Sequence, residues 1–277
     1  MANKREKSGE SSVKTAESIN NKSSSKDSFR RVSKTAALII AILICGGIAL
    51  FTTIIVVAHL NSIRASQAEY DQLREIAGDI EAEPGVDGTG TTHLGALDVE
   101  MLQINPDYVG WIRIEGTDID YPVVRGDDNE KYLHTSFYGE ENITGAVFMD
   151  YRNVGDLTTH KIGDSLPHII IYGHNLQQGG MFSDLRRLLN KQFFEEHRII
   201  TLIVNDKEIE FEIFSARRTD INDPAYNLNL DNPRLFARFA DRIDAPLTAT
   251  QIITLSTCIR GGSDDSRIVV QGYRLLD

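Results

Sequence analysis

Cysteine is scarce in this chain, which has only two among its 277 residues. Cys45 lies inside a long apolar run, whereas Cys258 lies near the end of the chain, directly after a β-like stretch. Thiols in such different parts of a molecule cannot pair, so no disulfide within the chain is expected. Cys258 therefore needs another explanation.

Positive charge is also limited, because the formal net charge is −11. The cations are concentrated in residues 1–35, which carry +5, so the remaining residues carry −16. A nucleic-acid-binding protein needs a basic surface that neutralises phosphates, and this acidic body excludes that class. Residues 1–35 are rich in Ser and Lys, and this composition predicts a disordered basic cytoplasmic tail.

Residues 36–58 contain no charged side chain over 23 positions. This length spans the hydrocarbon core of a bilayer, so we predict a transmembrane anchor. A cleaved signal peptide is the alternative, but its apolar core is shorter, about 7–15 residues. Arg30, Arg31 and Lys34 precede the run, and Arg64 is the only nearby cation after it. The positive-inside rule then predicts a cytoplasmic N-terminus and an extracellular C-terminal part.

This orientation changes the interpretation of Cys258. An unpaired thiol in an exported domain is an intermolecular disulfide, an accident or a reactive group. Because oxidising surroundings make an idle exposed thiol a liability, the sequence favours a functional cysteine.

The sequence also lacks internal repeats and clusters of metal ligands with workable spacing, so no metal or cofactor is expected. Residues 59–94 are predicted to form a helical stalk and linker, and the helix could also pack on the domain. Tyr70, Leu73, Ile76 and Ile80 recur at helical spacing there, and the Pro- and Gly-containing residues 83–92 interrupt the pattern. A short helix is expected at residues 97–104.

From Trp111 onward the pattern changes to eight short β-like runs separated by turns. The runs are WIRIEG, DIDYPVV, AVFMD, HIIIYG, RIITLIV, IEFEIFSARR, QIITLST and RIVVQGYRL. They predict a mainly β fold with added helices, in which an eight-stranded antiparallel or mixed barrel closes on itself. The segments MFSDLRRLL and 232–243 are the expected helices, packed against the barrel.

A thiol is a useful nucleophile only as the thiolate, so Cys258 needs a nearby base or cation. Histidine is the usual partner. Of the seven histidines, His174 lies just past the end of the strand IIIYG, where a rigid scaffold presents catalytic groups. The others lie in less suitable positions, at the membrane edge, in the linker, in polar segments, at a helix end or before a strand (His59, His93, His134, His160, His197 and His168).

Acyl transfer also needs positive charge where the carbonyl oxygen becomes negative. Arg267 opens the last strand and would lie close to Cys258 if the two final strands are neighbours. Arg260 is nearer in sequence but belongs to the Gly-containing loop. Asp264 and Asp265 are most simply a polar loop tip, since a metal site there would need more oxygen ligands.

These residues resemble a known family. TLSTC at 254–258, followed by an arginine nine residues later in SRIVVQGYRL, is similar to the active-site strand pair of sortases. Residues 118–153 and the segment IIIYGHNLQQGGMFSDL (169–185) resemble the class B branch in particular. The likeness covers about residues 95–277, which would form the catalytic domain with a sortase-type barrel and an N-terminal helical extension.

The resemblance implies a role for each matched residue. Cys258 would be the nucleophile, His174 the acid and base, and Arg267 the cation that binds the oxyanion or positions the substrate. The implied reaction is a transpeptidation. The enzyme would cleave a C-terminal sorting motif of the LPxTG or NPxTx type after Thr, keep the peptide as a thioester, and pass it to an amine of a peptidoglycan precursor (lipid II) or to a pilin lysine. Ile259 departs from the polar residue expected after the cysteine.

Two other interpretations use the same residues. A surface cysteine peptidase would resolve the acyl-enzyme with water instead of an amine. A membrane-anchored binding module or inactive homologue would hold Cys258 as a buried, inert thiol.

Overall fold

The structure is a computed structural model that describes residues 7–82, 93–155, 157, 166–177, 179–205, 207–230, 232–259 and 261–275. Arg260, His160 and the linker at 83–92 lie outside the described residues. The chain divides into two compact units, Met1–Asn61 and Ser62–Asp277.

The first helix, α1, spans Lys7–Ala82. It includes residues 7–35, for which composition predicts disorder. Helical hydrogen bonds are local and need no hydrophobic core, so a polar stretch can adopt this backbone. The predicted domain boundaries stay predictions. Within α1, Ala36–Ile80 is the candidate membrane-crossing segment of the described residues, with a mean hydropathy of 2.8 in its most apolar window. None of that window is buried, which is consistent with an anchor.

The last part of α1 belongs to the second unit and packs into its core. Tyr70, Leu73 and Ala77 are buried there, and Ile76 and Ile80 lie partly buried beside them. The helical spacing of the apolar residues predicts this face. The helix therefore packs on the domain, which is one of the two possibilities that the sequence leaves open. A second helix, α2 (His93–Ile104), follows as expected and buries Leu97 and Met101.

Eight strands form the closed barrel that the turn-separated β pattern predicts. They are β1 (Tyr108–Arg113), β2 (Asp120–Val124), β3 (Val147–Met149), β4 (His168–Tyr172), β5 (Ile199–Val204), β6 (Lys207–Asp220), β7 (Ile252–Cys258) and β8 (Ser266–Arg274). Their order around the barrel is β1-β2-β3-β4-β7-β8-β6-β5. The barrel is mixed, because β2–β3 and β4–β7 pair in parallel and the other neighbours pair antiparallel.

The two helices expected between strands are both present, one of them in another form. MFSDLRRLL contains a 3-10 helix, Ser183–Leu189, instead of an α-helix. The second is α4, Pro233–Arg242, and α3 (Lys191–Glu196) precedes β5. Asn232 caps α4 by accepting hydrogen bonds from the first-turn amides, and Pro233 occupies the first helical position, where it needs no partner for its nitrogen. The apolar face of α4 forms a small core with the start of β7 (Leu230, Phe236, Phe239, Ile243, Ala249 and Ile252).

His168, in β4, is fully buried beside this small core. Its Nδ1 lies 2.8 Å from the Asn227 carbonyl oxygen and its Nε2 lies 2.8 Å from the Thr254 hydroxyl. Phe239 stacks on the ring at 4.6 Å. Burial lowers the pKa of His168 to about 4, although the Asn227 carbonyl and the charge of Asp150 act in the opposite direction. His168 is therefore a neutral structural residue at pH 7.

This burial predicts a loss of stability in acid. The unfolded chain binds a proton at His168 below about pH 6.5 and the folded chain only below about pH 4. The contribution is thus complete above pH 6.5 and is lost as the pH falls to 4, by up to about 3 kcal/mol in the free energy of unfolding. Denaturant unfolding of wild type and His168→Gln across this range measures it. We expect a smaller pH dependence in the variant, and equal slopes would contradict a buried neutral histidine.

Candidate active site

Cys258 is the last residue of β7, and its position follows from the burial of that strand. Residues 252–257 are all buried, and Cys258 alone is exposed. On the antiparallel partner strand β8, Arg267 is the residue directly opposite Cys258. The sequence predicts that Arg267 lies close to the thiol if the two final strands are neighbours, and the structure shows that they are.

His174 reaches the same end of the barrel from β4. The parallel ladder between β4 and β7 ends with Tyr172 opposite Ser256, so His174 and Cys258 each lie two residues beyond the last pair. The imidazole is half-buried, and its Nε2 lies 3.0 Å from the Leu133 carbonyl oxygen. A carbonyl can only accept a hydrogen bond, so Nε2 carries the hydrogen and Nδ1 is the free basic nitrogen.

Burial has the largest effect on the pKa of His174 and lowers it. The hydrogen bond to Leu133 acts in the opposite direction, and the charge of His134 adds to the lowering. A lowered pKa keeps this imidazole neutral at pH 7. It can therefore accept a proton from a thiol and return it to an amine.

The three candidate residues line one cleft of about 360 Å³. Leu133, Phe148 and Ile221 form apolar walls of this cleft, and the remaining lining residues are Asn129, Tyr172, Gly173, Tyr226, Ser256 and Thr257. This volume lies in the range of ligand-binding sites in proteins, so the cleft can hold part of an extended peptide.

Arg267 is half-buried at the mouth of the β7–β8 connection. Its Nη1 donates to the carbonyl oxygens of Asp264 (2.5 Å) and Ser266 (3.0 Å), which holds the guanidinium near the strand end. Tyr226 also lines the cleft, and its hydroxyl lies 2.8 Å from the Ser256 hydroxyl. Burial raises the pKa of Tyr226, while the charge of Arg267 lowers it and Cys258 raises it. Arg267 and Cys258 thus both act electrostatically on this part of the cleft.

Three other histidines of the described part of the chain do not line the cleft. His168 is buried in β4, His134 is exposed, and His197 stacks on Phe193 at 4.2 Å. Among the residues that the structure describes, no group of three or more His, Cys, Asp or Glu could hold a metal ion.

Sequence reasoning missed a buried carboxylate behind the cleft. The side chain of Asp150, at the end of β3, has no exposed surface. It accepts hydrogen bonds from the backbone and guanidinium of Arg152 (2.8–3.0 Å), from the Tyr172 hydroxyl (2.9 Å) and from the Asn129 amide (3.1 Å). Burial alone would raise the pKa of Asp150, but these hydrogen bonds outweigh it and the pKa is lowered. The only available signal was the short spacing of Asp150 and Arg152, which is common on protein surfaces.

The comparison with protein families decides the identity of the fold. The model for the sortase domain matches residues 112–275, which include all eight strands except the first residues of β1. The chain belongs to the sortase family. It is a class B sortase, since the curated relatives are named sortase B and the similar solved structures are sortase B structures.

Sortase B of Staphylococcus aureus (strain NCTC 8325 / PS 47) is 30% identical over 185 residues, covering 64% of this chain and 73% of the relative. Sortase B of Listeria monocytogenes is 32% identical over 185 residues, covering 62% and 72%. The 2.0 Å crystal structure of S. aureus sortase B matches with a TM-score of 0.63 at 26% identity, covering 76% of this chain and 98% of that one. A sortase B–substrate complex from S. aureus matches with the same TM-score at 27% identity, covering 76% and 97%. The chain is therefore a sortase-type transpeptidase.

The buried carboxylate leads to a prediction about stability. Asp150→Asn removes the charge that pairs with Arg152 and an acceptor from a buried network, so the free energy of unfolding should fall by about 2 kcal/mol. Asp71→Asn is the matched control, because Asp71 pairs with Arg74 but is 70% exposed. The free energy of unfolding of Asp71→Asn should fall by no more than about 0.5 kcal/mol. Denaturant unfolding at pH 7 compares the two, and equal losses would show that the network does not stabilise the cleft wall.

Proposed function

We propose that Cys258 is the nucleophile of this transpeptidase, His174 its general acid and base, and Arg267 the cation that binds the oxyanion. The observation that supports the roles most strongly is that His174, which is distant in sequence, lines one cleft with Cys258 and Arg267 at the paired ends of β4, β7 and β8. The motif YGHN carries the imidazole and the motif TLSTC, later in the chain, carries the thiol, which is the order that the family uses.

In the first half-reaction, the Cys258 thiol gives its proton to Nδ1 of His174. The thiolate sulfur attacks the carbonyl carbon of the motif threonine, and the oxygen becomes negative. Arg267 stabilises that charge, because Nη1 is held by the loop carbonyls and Nε and Nη2 remain for the substrate. The intermediate then collapses, the peptide C–N bond breaks, and His174 protonates the departing amine. A thioester on Cys258 remains.

In the second half-reaction, an acceptor amine gives a proton to His174 and attacks the thioester carbon. The C–S bond breaks, a new amide forms, and His174 returns the proton to Cys258. Water competes with the amine for the thioester, so the apolar walls formed by Leu133, Phe148 and Ile221 favour transfer over hydrolysis.

The proposed substrates are surface proteins or pilins with a C-terminal motif of the LPxTG or NPxTx type. The acceptor is an amine of the lipid-linked peptidoglycan precursor or a pilin lysine. In this proposal residues 36–58 cross the membrane, the N-terminus is cytoplasmic and the catalytic domain, residues 95–277, is extracellular. Such an anchor raises the effective concentration of the enzyme near membrane-held substrates.

The reaction itself is tested with the full chain in detergent micelles and a panel of LPxTG and NPxTx peptides, with and without triglycine as the amine. Intact mass records each product. We expect an adduct on Cys258 that triglycine converts to a ligated peptide. An adduct that water resolves equally well would indicate a peptidase. No adduct, with a thiol that does not react with iodoacetamide, would indicate a binding module.

Replacing the nucleophile should abolish the adduct without unfolding the chain. The Cys258 side chain is exposed at a strand end, so Cys258→Ala should change the free energy of unfolding by no more than about 0.5 kcal/mol. Cys45→Ala is the matched control and should form the adduct as the wild type does. Intact mass and thermal unfolding measure both properties. An adduct in Cys258→Ala would disprove the role of this residue.

The role of Arg267 depends on the guanidinium and not only on its charge. Arg267→Lys replaces a planar fork with a point charge, so kcat should fall about 100-fold. Arg218, exposed on β6 and opposite Ile268, provides a control on the neighbouring strand. Arg218→Lys should keep the wild-type rate of peptide ligation. If Arg267→Lys ligates peptide at the same rate as Arg218→Lys, Arg267 does not bind the oxyanion.

A further inference from the structure

Two side-chain hydrogen bonds continue the pairing of β4 and β7 beyond the last residues of their ladder. The first joins the Thr257 hydroxyl to the carbonyl oxygen of Gly173 at 2.6 Å. The second joins the side-chain amide of Asn175 to the carbonyl oxygen of Cys258 at 2.9 Å. They lie on either side of His174, because Gly173 precedes it and Asn175 follows it.

The surrounding contacts leave little freedom to the backbone of this segment. The amide of Gly173 donates to the Ser256 carbonyl at 3.2 Å, and the carbonyl of His174 accepts from the Phe182 amide at 3.0 Å. A Cβ atom at position 173 would lie 2.7 Å from the Phe182 ring, so only glycine fits there. The strand pairing alone does not extend to His174, however, because its last residue pair is Tyr172 and Ser256.

The side chain of Asn175 also carries an unsatisfied polar atom. Its Oδ1 is buried and has no hydrogen-bond partner in the described part of the chain. Turning the amide over would set Oδ1 against the Cys258 carbonyl oxygen, where two acceptors repel, so the contact itself fixes the orientation. A buried acceptor without a partner is destabilising. Each such group in a folded protein calls for an explanation, and a part in positioning the site is one.

We propose that Thr257 and Asn175 are positioning residues that hold His174 in register with Cys258. The Thr257 hydroxyl holds the backbone that precedes the imidazole, and the Asn175 amide ties the residue that follows it to the backbone of Cys258. Proton transfer between thiol and imidazole needs the two groups at hydrogen-bonding distance, and a displacement of about 1 Å can lower a rate about 100-fold. The inference rests on the proposed roles of Cys258 and His174.

The test uses Thr257→Val, which keeps the shape of the side chain and removes the hydroxyl, and Asn175→Ala, which removes the amide. Thr257→Ser restores the hydroxyl. Thr254→Val is the structural control, because Thr254 is equally buried on β7, and its hydroxyl contacts His168 at 2.8 Å and Gln271 at 3.1 Å outside the cleft. Thermal unfolding, kcat and KM are measured for the full chain in micelles, with a peptide that the wild type ligates to triglycine.

We expect Thr257→Val and Asn175→Ala each to lower kcat at least about tenfold, with KM within about twofold of wild type. Thr257→Ser should recover most of the lost rate. Thr254→Val should lower the unfolding temperature while kcat of the folded enzyme is unchanged.

The inference is overturned if the wild type is active and the two loss variants keep kcat within about twofold. It is also overturned if they lose activity only through unfolding, as the Thr254→Val control would. If the wild type forms no adduct with any peptide, the proposed function fails and this inference fails with it. If the wild type is active and the two loss variants keep their rate, only this inference fails.

Discussion

The parallel pairing of β4 with β7 is the constraint on which the candidate site depends. Both strands are buried along almost their whole length, so their register is set by the barrel core and not by the site. The ladder ends at Tyr172 and Ser256, and the chain after each strand emerges at the same edge. His174 and Cys258 meet there because a parallel pair brings corresponding strand ends together, and the β7–β8 hairpin adds Arg267.

The environment of these three groups suits the proposed reaction, in which an amine and not water resolves the acyl-enzyme. Burial lowers the pKa of His174 and keeps it neutral, which suits a group that accepts and returns a proton. The Arg267 guanidinium is held by two loop carbonyls, so its charge is oriented before a substrate arrives. Behind the cleft, the buried carboxylate of Asp150 fixes Asn129 and Tyr172, and the apolar side chains limit water.

Much of this arrangement could be predicted from the sequence, because strands and strand ends follow from local pattern. Eight β-like runs predict the barrel, and a thiol and an imidazole just after apolar runs predict groups at its edge. The strand order could not be predicted, since pairing between distant strands depends on tertiary packing. The prediction that Arg267 lies near Cys258 therefore depended on the assumption that the last two strands are neighbours. Asp150 and Tyr226 were missed for the same reason. The sequence pattern does not distinguish a 3-10 helix from an α-helix, so the 3-10 geometry of Ser183–Leu189 could not be predicted either.

The most direct test of the account is the pH dependence of the alkylation rate of Cys258. Iodoacetamide reacts with the thiolate, so the rate as a function of pH reports how the thiol ionises. If the imidazole lies beside the thiol, the two groups titrate as a coupled pair, and His174→Gln should change the shape and midpoint of the profile. His197→Gln, which changes a histidine that stacks on Phe193 outside the cleft, should leave the profile unchanged. Identical profiles for wild type and His174→Gln would contradict the claim that the strand ends bring these two groups into one catalytic site.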